Sequence, residues 1–186
     1  MSRGRPKNFC REDVLNKALP VFWENGFSST SLQLLEQATG VNKSGLYSEF
    51  QNKDDLYVEC VRHYLSVRGG PGVLNAQPLG WNNIENFMRL AYYAEGDQKG
   101  CFTVSSVRDL ANIPRAACEL LEGCFETMSA GILQNVQAET TKMDAKQIAE
   151  MIRIYFFGFC MELTMDTKKA VVDRKIKAFM KIVKSL

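Results

Sequence analysis

The sequence predicts an all-α protein: a three-helix N-terminal head, a connecting helix and a C-terminal helical-bundle body. Alternating β-branched runs bounded by turn residues are almost absent. Apolar residues recur instead with the 3.6-residue period of an amphipathic helix. Glycine, proline and small polar residues fall between those periodic stretches, where helices should stop and start.

The first helix begins near Arg11 and places Val14, Leu15, Ala18, Leu19 and Phe22 on one stripe. Pro20 removes one backbone bond and should bend it, and Asn25-Gly26 should end it. Ser28-Ser29-Thr30-Ser31 supplies N-cap candidates for a short second helix carrying Leu32, Leu34 and Leu35, which stops at Thr39-Gly40. Asn42 caps a third helix reaching about Glu49. Asn52 caps a fourth, with Asp54 and Asp55 in its first turn, running through Tyr57, Val61 and Tyr64 to about Arg68. Gly69-Gly70-Pro71-Gly72, with Pro78 and Gly80, is the clearest break. The expected organisation is a head with a basic arm and connecting helix at 1–68, a linker at 69–80 and a body at 81–186. In the body, helices are expected over 81–94, after Gly100-Cys101, over 114–138, from the cap Asp144 through Phe159, and after Asp166.

Composition sets limits on function. A chain of 186 residues with 46% hydrophobic and 24% charged residues can bury a core without staples. The net charge is only +2, but it is unevenly spread. Residues 1–11 carry Arg3, Arg5, Lys7 and Arg11 without an acid, and residues 168–184 carry a net +6. That basic last helix reads as a solvated face. The six cysteines form no CxxC pair and there is one histidine, so no zinc cage and no cofactor are expected. No apolar region follows the charged start, so a cytoplasmic protein with reduced thiols is expected. The most apolar run, 155–165, holds Glu162 and is too short to span a bilayer, so no membrane partner is expected. Neither a Gly-rich phosphate loop after a strand nor a His/carboxylate cluster occurs, and the chain is not expected to be an enzyme.

Residues 39–56, TGVNKSGLYSEFQNKDDL, place a small polar run between apolar stretches and follow it with aromatics. Two short helices joined by a glycine turn, the second small and polar outside, make a helix-turn-helix. Small residues Ser44 and Gly45 let that helix approach a major groove, where Lys43 can reach a guanine edge or a phosphate. Tyr47 brings a hydroxyl toward the sugar-phosphate backbone, and Lys53 opens a helix whose free N–H groups can seat a phosphate.

The pattern Gly26-Phe27-x-x-Thr30-Ser31-Leu32, then Gly40-Val41-x-x-x-x-Leu46-Tyr47-x-x-Phe50-x-x-Lys53-x-x-Leu56, resembles the DNA-binding signature of the tetracycline-repressor (TetR) family. The resemblance covers about residues 10–60. It implies a DNA-binding head, a ligand-binding and dimerisation body, and a homodimer on double-stranded DNA. It also puts Thr30, Lys43, Ser44, Gly45, Tyr47 and Lys53 at DNA-contacting positions. The chain departs from the family pattern with Leu35-Glu36 in helix two, Thr39 before Gly40 and Glu49 before Phe50. An acid at 49 disfavours a phosphate contact there. The arm SRGRPK resembles an AT-hook core, which slides arginines such as Arg3 and Arg5 into a narrow A·T minor groove. The alternative for the arm is a basic tail that aids solubility.

In the body, Phe87, Tyr92, Tyr93, Phe102, Phe125, Met128, Tyr155 and Phe159 are candidates to line a pocket for an apolar or aromatic small molecule. Taken singly, each is better read as plain core; it is the set that suggests a ligand. Phe156, Phe157, Met161, Phe179 and Met180 are candidates for the dimer interface that the resemblance implies, or for the body's own core. Cys101 follows Lys99-Gly100 at a helix start, where the dipole and a nearby cation favour a thiolate, so it is a candidate sensor. The function expected is a ligand-responsive transcriptional regulator, a repressor released from palindromic operator DNA by a small molecule. The alternatives are an architectural DNA-binding protein without ligand and a thiol-based electrophile- or redox-sensing repressor.

Overall fold

Side-chain caps set where the helices begin. The computed structural model describes residues 9–67, 70–93, 98–165 and 168–186, and no strand occurs among them. Helix α1 is Arg11–Ser29, α2 Leu32–Thr39, α3 Lys43–Glu49 and α4 Lys53–Val67. Ser31 accepts the Leu34 N–H at 3.2 Å to open α2, and Asn42 accepts the Gly45 N–H at 2.9 Å to open α3. Asn52 accepts the Asp55 N–H at 2.8 Å while Asp55 accepts the Gln51 N–H at 2.9 Å, a reciprocal box that opens α4. Within α1 the backbone leaves helical geometry at Gly26, with φ 76°, and not at the expected bend, Pro20. The missing Pro20 N–H is absorbed within an otherwise continuous helix.

The body continues with α5 Gly70–Leu74, α6 Trp81–Tyr93, α7 Phe102–Ser106, a 3₁₀ turn at Val107–Asp109, α8 Arg115–Gln137, α9 Ala145–Leu163 and α10 Lys169–Val183. Asp144 caps α9 by accepting the Lys146 and Gln147 N–H groups. No described helix is long and apolar enough to cross a membrane.

The stretch expected to be a linker is partly helical and docked. Leu74 of α5 is buried, and it sits over Gly131 of α8, where a Cβ would lie 3.0 Å from the leucine Cβ. Asn135, fully buried in α8, fastens the same segment. Its Nδ2 donates to the Leu74 carbonyl at 2.7 Å, and its Oδ1 accepts from Gly80 N–H and Asn83 Nδ2, each at 2.9 Å.

Two apolar cores result. The head core joins Ala18, Phe22, Leu35, Leu46, Phe50 and Leu56, and it also takes in Phe102 of α7, Ile113 of the loop before α8, and Ala117 and Leu121 of α8. Full burial of one such leucine contributes roughly 2 kcal/mol, so these shared residues fasten head to body. The body core is built on Ile84, Met88, Ile132, Ile148, Ile152 and Ile176.

Candidate nucleic-acid interface and body cavity

The geometry of the helix-turn-helix follows from the residues that break the TetR-like pattern. Thr39 is buried, donates its hydroxyl to the Leu35 carbonyl at 2.7 Å and accepts the Val41 N–H at 3.2 Å. It thereby fixes the turn, which passes through Gly40 at φ 71°. The Glu36 carboxylate accepts the Lys43 N–H, so an acid of α2 sits at the positive N-terminus of α3. Leu46 pins α3 to the head core from below.

This arrangement leaves Lys43 and Ser44 exposed and Tyr47 half-buried, with the Lys43 ammonium 5.8 Å from the Tyr47 ring centre. The other candidates differ from expectation. Gly45 is small for the inside: a Cβ there would stand 2.6 Å from Val41 Cγ1 and 3.2 Å from the Phe9 ring. Thr30 is buried and donates its hydroxyl to the Gly26 carbonyl at 2.6 Å, which closes the end of α1 and leaves no side chain for DNA. Lys53 is half-buried and turned back. Its Nζ donates to the carbonyls of Phe27 at 3.0 Å and Thr30 at 3.1 Å and lies 4.3 Å from the Phe27 ring centre. A cation there adds a charged donor at the C-terminal end of α1, where the Phe27 carbonyl also accepts the Thr30 N–H at 3.3 Å. Arg3 and Arg5 lie outside the described residues.

In the body, a cavity with about 70 Å³ open to water-sized occupants lies between α4, α5, α6, α7, α8 and α9. Of the expected lining residues, Phe87 and Met128 are on its wall. Phe102 belongs to the head core, packing on Trp23, Tyr57 and Tyr64. Phe125 meets Phe157, and Tyr155 stacks on Phe179 with ring centres 3.6 Å apart and packs on Phe159, all away from the cavity. Tyr92 holds Lys99, whose Nζ donates to the Tyr92 carbonyl and lies 4.9 Å from its ring. The side chain of Tyr93 lies outside the described residues. Aromatic content marked core more often than cavity. The wall also includes Tyr64, Leu74, Cys101, Thr103, Cys124 and Phe156. Cys101 was legible through its place beside a break; the rest carried no signal in the sequence. Among the described residues no group of His, Cys, Asp and Glu is arranged to hold a metal.

The cysteine's expected setting also changes. Cys101 precedes a helix of only five residues, and Lys99 is engaged with Tyr92. The Cys101 Sγ instead accepts from the Tyr64 hydroxyl at 3.3 Å and lies 3.0 Å from the Thr103 hydroxyl oxygen.

Helix α7 bridges cavity and head. On the cavity side it presents Thr103 and Val104, and on the head side Phe102 and Ser106. Tyr57 of α4 donates to Ser106 Oγ at 2.8 Å, and burial pushes its phenol up to about 12. Beyond α7, Asp109 accepts the Ser28 N–H at 3.0 Å and the Ser28 hydroxyl at 3.1 Å. The Ser28 N–H is the largest cause holding its carboxyl below the usual range. That contact sits at the end of α1, just ahead of the helix-turn-helix.

The expected interface residues divide. Phe156 faces the cavity and Met180 is buried in the body core, so neither is free to meet a second chain; Phe157, Met161 and Phe179 are half-buried. The exposed apolar residues on these helices are others: Met151 (43%), Ile154 (65%) and Ile182 (58%). Gly158 lies one turn from Ile154 with open space around its Cα.

Residues 14–60 match the family model for bacterial regulatory proteins of the tetR family. The chain is 45% identical over 64 residues to the HTH-type transcriptional repressor ComR of Escherichia coli K12, which is 34% of this chain and 30% of that protein. It is 40% identical over 62 residues to the regulator YezE of Bacillus subtilis, 33% of this chain and 32% of that one. These matches thus span about a third of the curated relatives' length. The fold matches over nearly the whole chain. A cysteine mutant of the TetR family regulator CifR, complexed with 26bp operator DNA, superposes with a TM-score of 0.75 at 22% identity, covering 94% of this chain and 99% of that one. A TetR family regulator from Agrobacterium tumefaciens gives 0.80 at 14% identity, covering 91% and 95%. Residues 14–60 thus carry a domain of the tetR family, and the fold of the whole chain is the one those solved regulators share.

Proposed function

We propose that this chain is a ligand-responsive transcriptional repressor that binds palindromic operator DNA as a homodimer. The observation that carries the reading is α3, fastened by Glu36, Thr39 and Leu46 with Lys43 and Ser44 left outward. A helix held so presents base-reading side chains to a major groove at fixed register. The relatives agree: one is a transcriptional repressor and another is complexed with operator DNA.

The second chain packs against the exposed stripe of α9 and α10 around Ile154 and Ile182, with Gly158 allowing close helix approach. The effector is small, apolar and uncharged, since no charged side chain lines the cavity. It acts through α7: filling the cavity displaces Thr103 and Val104, and Phe102, Ser106 and Asp109 pass the shift to α1 and α4. Release requires that the effector favour the displaced arrangement energetically.

The test is operator binding by Lys43→Ala beside wild type. The expected result is a loss of roughly tenfold or more on the preferred sequence, corresponding to 1–3 kcal/mol, with relaxed preference at the contacted base. Equal affinity for all sequences in wild type and variant refutes the reading.

A further inference from the structure

We propose that the body cavity captures a small apolar α,β-unsaturated carbonyl compound and that Cys101 adds to it covalently, positioned by Tyr64 and Thr103. This rests on the regulator reading for its consequence, though not for its chemistry. The polar atoms of an otherwise apolar wall gather at one place. There the Cys101 sulfur lies 3.3 Å from the Tyr64 hydroxyl and 3.0 Å from the Thr103 hydroxyl. Cys124 lines the same wall, so two sulfurs border the cavity. Leu74, Phe87 and Met128 line the rest. A compound seated there puts its hydrocarbon against those side chains and its one polar group beside the sulfur. Hydroxyl donors at that spot stabilise the negative charge that appears on its oxygen during addition.

The step balances without oxidant or reductant. Cys101 loses its thiol proton to water, and its sulfur pair forms a bond to the β-carbon. The carbon–carbon π pair shifts to give the enolate, which takes a proton from water at the α-carbon. The net change is addition of S–H across the double bond. Competing thiols are less suited. Cys60 and Cys160 are buried, and burial raises both thiols well above their ordinary range; burial also raises Cys124. Cys10 is exposed but far from the cavity wall.

The adduct consumes the sulfur that anchors Tyr64. Tyr64 belongs to α4 and packs edge-on against Trp23 of α1 at 5.4 Å and against Phe102 at 5.6 Å. A change at that sulfur is therefore felt where α1, α4 and α7 meet.

The experiment uses the full chain carrying Cys10→Ser, which removes the exposed thiol, and methyl vinyl ketone as probe below one equivalent. Peptide mass spectrometry should find Cys101 alkylated about tenfold faster than the four remaining cysteines. Tyr64→Phe, which keeps the ring, and Thr103→Val should each slow that labelling several-fold and leave Cys118 unchanged. Labelling that favours Cys118 or Cys124, or a Cys101 rate unmoved by both variants, overturns the inference. On the preferred sequence recovered from random DNA, the adduct should weaken binding at least tenfold; a labelled protein that binds as tightly as before overturns the coupling. Failure of the unmodified protein to bind any DNA condemns the regulator reading alone and leaves the labelling result standing.

Discussion

Gly45→Ala separates two reasons for a small residue on α3. If the glycine is there to let DNA approach, alanine costs the free protein nothing. Replacing a helical glycine by alanine should then stabilise the head by up to about 1 kcal/mol. The structure sets a larger opposing effect. The new Cβ would stand 2.6 Å from Val41 Cγ1 and 3.2 Å from the Phe9 ring, and Val41 is itself buried in the head core. Overpacking of this kind costs about 1–3 kcal/mol. The balance is a net loss of about 1 kcal/mol, or about 2–4 °C in Tm for a chain of this size. Urea denaturation followed by helical circular dichroism measures it. Adding Val41→Ala should recover part of the loss, so that the two substitutions are non-additive by about 0.5 kcal/mol or more. A Gly45→Ala protein as stable as wild type, or more so, refutes the inward reading.

Lys53→Met keeps the aliphatic stem over Phe27 but removes the charged donor shared by the Phe27 and Thr30 carbonyls, of which the first keeps the Thr30 N–H, and should cost about 1 kcal/mol by urea denaturation; unchanged stability would argue against this capping role. Asp109→Asn should cost about 1 kcal/mol at pH 7. The native carboxyl titrates below its unfolded value, so its contribution is complete above about pH 4 and fades as pH falls further; a deficit that persists unchanged at pH 3 argues against that cause. Ile154→Lys should give a monomer by sedimentation with helix content intact, and a variant that stays dimeric moves the interface elsewhere.

Much of the fold was readable because its signals are local. Ser31, Asn42, Asn52 and Asp144 act as caps through their own side chains, and Gly40 adopts the left-handed turn that sequence alone assigns to it. Long-range partnerships were not readable. Lys53 looked like a phosphate ligand until the end of α1, 23 residues earlier, claimed its charge. Gly70 and Pro71 looked like a linker until Asn135 bound the segment's carbonyls and N–H groups. In the body the apolar period identified buried faces. Choosing which buried aromatics border empty space depends on how six helices meet, and Phe87 lies on the wall while Phe159 does not. The departures from the family pattern at Glu36 and Thr39 showed as differences; their role in tying α2 to α3 needed coordinates.

Selection of bound sequences from random double-stranded DNA by the full-length protein is the most direct test of a dimeric regulator reading DNA through α3. The expected product is an inverted repeat, its half-sites set by two α3 helices in successive major grooves about 34 Å apart or a multiple of that. Lys43→Ala should blur the repeat symmetrically in both half-sites. Recovery of a single unrepeated site, or no enrichment beyond general A·T content, contradicts it.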